Sequence, residues 1–168
     1  MLKVQVHHTQ EGNSLSLPLC HEILEDVSKR AFGLFQERGS TLGHDLDDWF
    51  QAERELLWAP PAELTETESQ FKLRLAAPGY EAKDLQVTAF PDAIIVSAEA
   101  QKEARRQGGT VHVSELTSRR LFRRLDLPST IDVEKVTAYL DQGVLRLVAV
   151  KSEPISEGLK AVSSSAAA

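Results

Sequence analysis

The sequence of 168 residues contains a single cysteine, Cys20. One thiol cannot form an intramolecular disulfide or build a thiolate-rich zinc site, so we expect a reducing compartment. No stretch approaches the roughly 18 to 20 uninterrupted apolar residues of a membrane span, and residues 1–12 lack the apolar block of a secretory signal. We therefore expect a soluble, cytoplasmic protein without a membrane span.

Motifs of nucleotide and acyl-transfer chemistry are also missing. The sequence has no P-loop, no Gly-x-Gly-x-x-Gly and no Gly-x-Ser-x-Gly. Its five histidines show no metal-ligand spacing, and Cys20 has no histidine partner motif. The sequence thus predicts no catalytic residue, no cofactor and no metal site, and we do not expect an enzyme.

The net charge of −6 is unevenly distributed along the chain. Residues 1–62 contribute −5, residues 63–152 are neutral with thirteen charges of each sign, and residues 153–168 contribute −1. A neutral centre beside an acidic N-terminal region argues against a nucleic-acid partner. We interpret the acidic excess as a solvated face of the N-terminal region.

Apolar residues at helical spacing predict two helices before residue 59. The first, from about residue 21 to 38, carries one apolar stripe and is ended by Gly39; the stripe consists of Leu24, Val27, Ala31, Leu34 and Phe35. The second starts at Asp45 and extends to about Trp58, with Leu46, Trp49, Phe50 and Leu57 on its apolar face. Together they predict a short helical hairpin, whose apolar faces need a partner to pack against.

After Pro60-Pro61 the apolar period falls to about two, which is typical of strands. Short strands without intervening helices predict an antiparallel β-sandwich. The predicted strands are residues 71–75, 85–90, 93–99, 121–127, 136–140 and 144–150. The resulting plan has a flexible N-terminus (1–20), the hairpin (21–58), a proline linker (59–62), the sandwich (63–151) and a disordered tail (152–168).

Three motifs in fixed order connect the sandwich to a known family. They are Leu75-Ala76-Ala77-Pro78-Gly79, the strand end Leu127-Pro128, and Ala138 followed by Gly143-Val144-Leu145. Together they resemble the α-crystallin domain of the small heat-shock proteins, over about residues 63–151. The resemblance implies an all-β, immunoglobulin-like antiparallel sandwich. Gly143 is expected at a positive φ, and Ala138 is expected to leave room for a facing strand.

The same resemblance implies an ATP-independent holdase that binds non-native client proteins. In the family a groove between two strands accepts short apolar motifs, and the positions here are Val87, Ala89, Val136 and Ala138. That these four residues simply fill the core is an equally valid interpretation. Bacterial members exchange a strand carried on a loop, here residues 101–118, so that Val111 and Val113 are candidate dimer contacts. Arg123, on the strand before Leu127-Pro128, is a further candidate, with a solvated or dimer-facing role.

Two features depart from the family or add to it. The tail lacks the family's Ile-x-Ile/Val motif, so we expect self-association as a dimer or small oligomer.

Residues 21–57 resemble a small bacterial family of unknown function through Gly43-His44-Asp45 and Ala52-Glu53. The hairpin aromatics Phe32, Phe35, Trp49 and Phe50 are either a client-binding surface or a packing surface. A non-chaperone adaptor built on a degenerate sandwich is the alternative function.

Overall fold

The structure, a computed structural model, describes residues 1–10, 18–99 and 119–153. Its helices are α1 (Pro18–Glu37) and α2 (Asp45–Leu56). Its strands are β1 (Leu2–Val4), β2 (Val6–His8), β3 (Leu57–Trp58), β4 (Ala62–Glu66), β5 (Gln70–Ala76), β6 (Leu85–Ala89), β7 (Ala93–Ala98), β8 (Arg120–Asp126), β9 (Ile131–Asp141) and β10 (Val144–Lys151).

The strands form two five-stranded sheets that enclose the main core. One sheet has the order β1-β9-β10-β5-β4 and the other the order β2-β6-β7-β8-β3. Alternate residues of each strand point inward, as in β5, where Phe71, Leu73 and Leu75 are at most 1% exposed. Side chains from both sheets meet in one apolar cluster. The predicted sandwich is therefore confirmed.

The helical hairpin is held by its turn and by an ion pair. Helix α1 ends where Gly39 adopts φ 84°, with the amides of Gly39 and Ser40 bonded to the carbonyls of Gln36 and Phe35. Just beyond this turn, Arg38 binds both carboxylate oxygens of the buried Asp48. The end of α1 is thus tied to the first turn of α2.

The hairpin packs on the outer face of the second sheet. Cys20 of α1 lies with Phe90, Ala93 and Ile95 in one buried cluster, against which Phe122 of β8 packs. Phe122 also packs against a second cluster formed by the facing sides of α1 and α2. This side of the hairpin therefore packs against the sheet. Packing was one of the two roles that the sequence left open for the hairpin.

The predicted flexible N-terminus, residues 1–20, does not match the structure at its described positions. β1 pairs antiparallel with β9, β2 pairs parallel with β6, and α1 begins at Pro18. Residues 2–8 form strands because they pair with an edge of each sheet. Both of these edges are distant in the sequence. Within the predicted linker, Pro60 is buried and Pro61 accepts a hydrogen bond from the Ala76 amide.

Two other boundaries differ from the sequence predictions. Leu57-Trp58, expected at the end of the second helix, is β3 and pairs parallel with Arg120-Leu121 of β8. The strand expected at 136–140 extends over Ile131–Asp141, because β10 continues to pair with it beyond a bulge near Ala149. The two parallel pairs make the second sheet mixed. All but the first two residues of the predicted tail lie outside the described residues.

Candidate functional site

Two turns that carry the sequence motifs touch each other at one end of the sandwich. Ala77-Pro78-Gly79-Tyr80 forms a turn in which the Tyr80 amide bonds to the Ala77 carbonyl at 3.3 Å and Gly79 has φ 81°. The hairpin between β9 and β10 has positive φ at both central residues, Gln142 and Gly143. The Ala77 amide donates to the Gly143 carbonyl at 2.8 Å.

The remaining motif residues support the fold and do not form a binding surface. Gly143 has the expected positive φ of 75°, and a Cβ there would lie 3.4 Å from the Cα of Pro78. Leu127, Ala138 and Leu145 are buried, Val144 is half-buried, and Pro128 is exposed at a strand end. These residues fix the backbone that the groove is built on.

The groove expected between β6 and β9 lies where an edge of the first sheet meets an edge of the second sheet. Its predicted lining residues Val87, Ala89 and Ala138 are fully buried, and Val136 is 5% exposed. All four belong to the main core cluster. The structure thus brings these residues together, but it does not present them as an open surface.

The first nine residues, which we call the N-terminal strap, cover this groove. Val4 lies opposite Ala138 of β9 and is fully buried. Val6 lies opposite Val87 and His8 opposite Ala89, both on β6. The Thr9 amide then donates to the Ala89 carbonyl at 3.0 Å. Sequence reasoning missed Val4 and Val6, although Leu2, Val4 and Val6 alternate with polar residues as strand residues do.

The aromatic residues of the hairpin divide between packing and exposure. Trp49 is half-buried among the hairpin's apolar residues, and its indole N–H donates to Glu53 at 2.8 Å. Phe32 and Phe50 are 59% and 49% exposed. The ring of Phe35 lies 6.0 Å from that of Phe32 and carries the Arg38 guanidinium over its face. Trp49 therefore packs, whereas Phe32 and Phe50 face solvent.

Charged contacts tie the acidic hairpin to itself and to β8. Arg30 bonds to Glu55 at 2.5 Å and to Glu37 at 3.0 Å, and the hydrogen bond from Arg30 lowers the pKa of the Glu55 carboxyl. Between the hairpin and the sheet, Arg120 lies 3.5 Å from Glu22. The basic strand β8 is thus partly neutralised by the hairpin.

The candidate dimer contacts are only partly within the described residues. Val111 and Val113 lie outside them. Arg123 lies opposite Val96. It shares a face of β8 with Leu121, which belongs to the main core cluster, and with Leu125, which packs against that cluster, so its side chain starts on the inner face of β8. Its Nε is buried and has no hydrogen-bond partner among the residues that the structure describes.

Within 1–10, 18–99 and 119–153, no three His, Cys, Asp or Glu side chains are grouped as a metal ion requires. Neither α1 nor α2 has the length and apolar character of a membrane-crossing helix.

The chain matches two families. Residues 63–163 match the Hsp20/alpha crystallin family, and residues 25–57 match a family of proteins of unknown function, DUF2934. Both matches agree with the resemblances that the motifs indicated.

Two curated relatives are each similar to a little more than half of the chain. Spore protein SP21 of Stigmatella aurantiaca is 30% identical over 94 residues, which cover 56% of each chain. The chloroplastic heat shock 22 kDa protein of Chlamydomonas reinhardtii is 32% identical over 99 residues, covering 56% of this chain and 61% of the relative. The chain thus spans little more than half the length of these relatives.

Heat shock protein 16.0 from Schizosaccharomyces pombe aligns with a TM-score of 0.51 at 22% identity. The alignment covers 57% of this chain and 89% of that chain. At this identity the likeness shows the fold alone.

Proposed function

Because the chain belongs to the Hsp20/alpha crystallin family, we propose that it is an ATP-independent molecular chaperone of the holdase type. It binds partly unfolded client proteins in the cytoplasm and limits their aggregation. Such a function needs accessible apolar surface and requires no catalytic group or cofactor. It is therefore consistent with a sequence in which no enzyme motif is found.

The observation that carries this proposal is the apolar surface of the hairpin. Phe32, Leu42, Leu46 and Phe50 are 59%, 80%, 70% and 49% exposed. Leu46 and Phe50 are one turn apart on α2 and therefore share a face. Exposed aromatic and aliphatic side chains bind non-native segments by removing apolar surface from water, while the surrounding acidic residues keep the free protein soluble.

We also propose that the protein self-associates as a dimer or small oligomer. The support is the family resemblance of the loop at 101–118, which contains Val111 and Val113, together with the partnerless buried Nε of Arg123 in the described residues. The strand β4 is the last strand of its sheet, and the backbone of such an edge is available to a strand from a second copy.

A specific-partner adaptor is the second candidate. It is favoured by the closed groove, in which Val87, Ala89 and Ala138 are fully buried beneath the N-terminal strap. In that case the hairpin surface binds one folded partner at fixed stoichiometry, and the groove has no role in binding.

Light scattering of a thermolabile model enzyme, heated with the full chain in the absence of ATP, tests the holdase proposal. We expect suppression at stoichiometric ratios, and at least a threefold higher requirement for the double variant Phe32→Gln/Phe50→Gln. A matched control is Lys29→Gln/Asp47→Asn, which alters exposed positions of the same two helices without changing net charge. Absence of suppression by the unaltered chain contradicts the holdase proposal.

A further inference from the structure

We propose that the outer face of the first sheet, around Arg74 and Arg146, binds the acidic helical hairpin of a second copy of this chain. The inference goes beyond the proposed self-association through residues 101–118 and Arg123, because it assigns a different surface of the sandwich. We call this surface the basic face, and it consists of Lys3, Lys72, Arg74, Tyr139, Arg146 and Val148.

The register of the first sheet assembles the basic face. Lys3 lies opposite Tyr139, and Tyr139 lies opposite Arg146. Arg146 in turn lies opposite Arg74, so that one row crosses β1, β9, β10 and β5. The row is on the outer side of the sheet, because its neighbours along β5, β9 and β10 are buried in the core. The side chains of Arg74 and Arg146 are 61% and 52% exposed and are therefore accessible to a partner.

Positive charge on this face is only partly neutralised. Arg74 lies 3.2 Å from Glu63, and Arg146 lies 3.9 Å from Asp141. Lys72, which shares the outer side of β5 with Arg74, makes no ion pair within the residues that the structure describes. Like charges directly opposite each other on neighbouring strands destabilise a sheet. The opposed arginines and the lysine beside them therefore favour a negatively charged partner.

The basic face also carries aliphatic surface. Val148 lies opposite Lys72 and is half-buried, as are the two other valines on its side of β10. On the hairpin, Leu46 and Phe50 are exposed on either side of the acidic Asp47 in the α2 sequence. One surface thus combines aliphatic groups with cations, and the other combines apolar groups with carboxylates. Surfaces with complementary charge and matching apolar areas bind each other specifically.

The hairpin offers negative charge in excess. Residues 18–58 contain nine acidic and four basic side chains, and two of the basic ones are paired with carboxylates of the hairpin itself. Asp26 of α1 makes no ion pair in the part of the chain that the structure describes. The side chain of Asp47 is 81% exposed and contacts the imidazole of His44 at 3.2 Å. Carboxylates on both helices are therefore available to a cationic partner.

The contact joins two copies, because the two surfaces of one chain face opposite ways. The hairpin packs on the outer face of the second sheet, whereas the basic face is the outer side of the first sheet. The main core lies between them. The hairpin of one copy therefore binds the basic face of the next copy. Such a head-to-tail contact uses two different surfaces, so it either closes into a ring or continues as a chain.

Two charge-reversal variants and their mixture test the inference in the full chain. Arg74→Glu/Arg146→Glu makes the basic face acidic, and Asp26→Lys/Asp47→Lys makes the hairpin less acidic. Sedimentation velocity at about 0.01 M salt, where the screening length is about 30 Å, measures self-association. We expect the association constant of each variant alone to be at least tenfold below that of the unaltered chain. An equimolar mixture should regain association, because each altered surface then meets an altered surface of opposite charge.

The matched control is Lys29→Glu/Lys83→Glu, which changes the net charge as much as the face variant does and alters two exposed positions outside the basic face. We expect it to associate at least as tightly as the unaltered chain. Equal losses in the face variant and this control, or a mixture that regains nothing, would overturn the inference. Absence of association by the unaltered chain at low salt would leave the basic face to another anionic partner and would also overturn it.

Carbodiimide cross-linking of the unaltered chain gives a second measurement that requires no variant to fold. The reagent joins carboxylates to lysine amines that are in contact. In an equal mixture of unlabelled and heavy-nitrogen chains, we expect mixed-isotope links between hairpin carboxylates and Lys3 or Lys72, and at least tenfold fewer of them at about 1 M salt. Mixed-isotope links confined to other lysines would overturn the inference. Neither measurement involves a client or alters Arg123, so failure of the holdase proposal or of the Arg123 contact cannot produce these results.

Discussion

The amide of Ala77 donates a hydrogen bond of 2.8 Å to the carbonyl of Gly143. This bond joins the turn between β5 and β6 to the turn between β9 and β10, which are far apart in the sequence. Two of the three motifs that identify the family therefore meet in space, at the ends of the strands that they connect. The hydrogen bond and the positive φ of Gly143 give these residues a structural role.

Gly143→Ala is expected to lower the free energy of unfolding by about 1–2 kcal/mol. Gly143 has φ 75°, and the added methyl group would lie 3.4 Å from the Cα of Pro78. Gly33→Ala is the matched control. Gly33 lies inside α1 without a positive φ, so the same change there is expected to stabilise by about 0.5–1 kcal/mol. Urea unfolding measures both, and equal effects would contradict the explanation.

Stability is expected to fall as the pH rises above about 9, because burial raises the pKa of the Cys20 thiol, an effect that Arg124 partly offsets. The unfolded chain then loses the thiol proton before the folded chain does. The contribution of the protonated Cys20 thiol to stability is full below the ordinary thiol pKa. It is lost as the pH rises through the pKa that the thiol has in the folded chain.

Unfolding by urea between pH 8 and 10 measures this dependence. Cys20→Ala should flatten it in that window, since Tyr80, whose pKa is likewise raised by burial, ionises at higher pH. An unchanged slope in the Cys20→Ala variant would show that another group is responsible.

Arg123→Met is expected to weaken self-association at least tenfold. Nε of Arg123 is buried and lacks a hydrogen-bond partner within the described residues, which suits a carboxylate or carbonyl from a second copy. Arg124→Met is the control on the same strand, because Arg124 is paired with Asp126 at 2.8 Å within the chain. Sedimentation velocity over a dilution series gives both dissociation constants. If they are equal, Arg123 does not belong to the interface.

Local patterns predicted most of the fold. Alternation of apolar residues predicted β5 to β8 and β10 within a residue or two, and Gly39 marked the end of α1. Leu57-Trp58 was predicted as helix because its apolar residues continue the helical stripe. These two residues form a strand instead because they pair with β8, and a local sequence pattern gives no information about a partner so distant in the sequence.

The groove illustrates the limit of sequence reasoning more clearly. Val87, Ala89 and Ala138 were predicted to line one groove, and the structure shows that all three belong to the main core cluster. Their occupant was missed because Leu2, Val4 and Val6 form strands of three residues, too short for periodicity to be decisive. The strap is stabilised by two edges that the chain builds more than 80 residues later.

The fluorescence of the two tryptophans can report whether the helical hairpin separates from the β-sandwich. Trp49 lies inside the hairpin, whereas Trp58 stacks on Tyr80 with ring centroids 6.4 Å apart, at the edge where the helices join the sheet. Fluorescence of single-tryptophan chains therefore reports the hairpin and its attachment separately. Coincident melting curves would mean one cooperative unit, and separate curves would mean that the hairpin detaches while the sandwich stays intact.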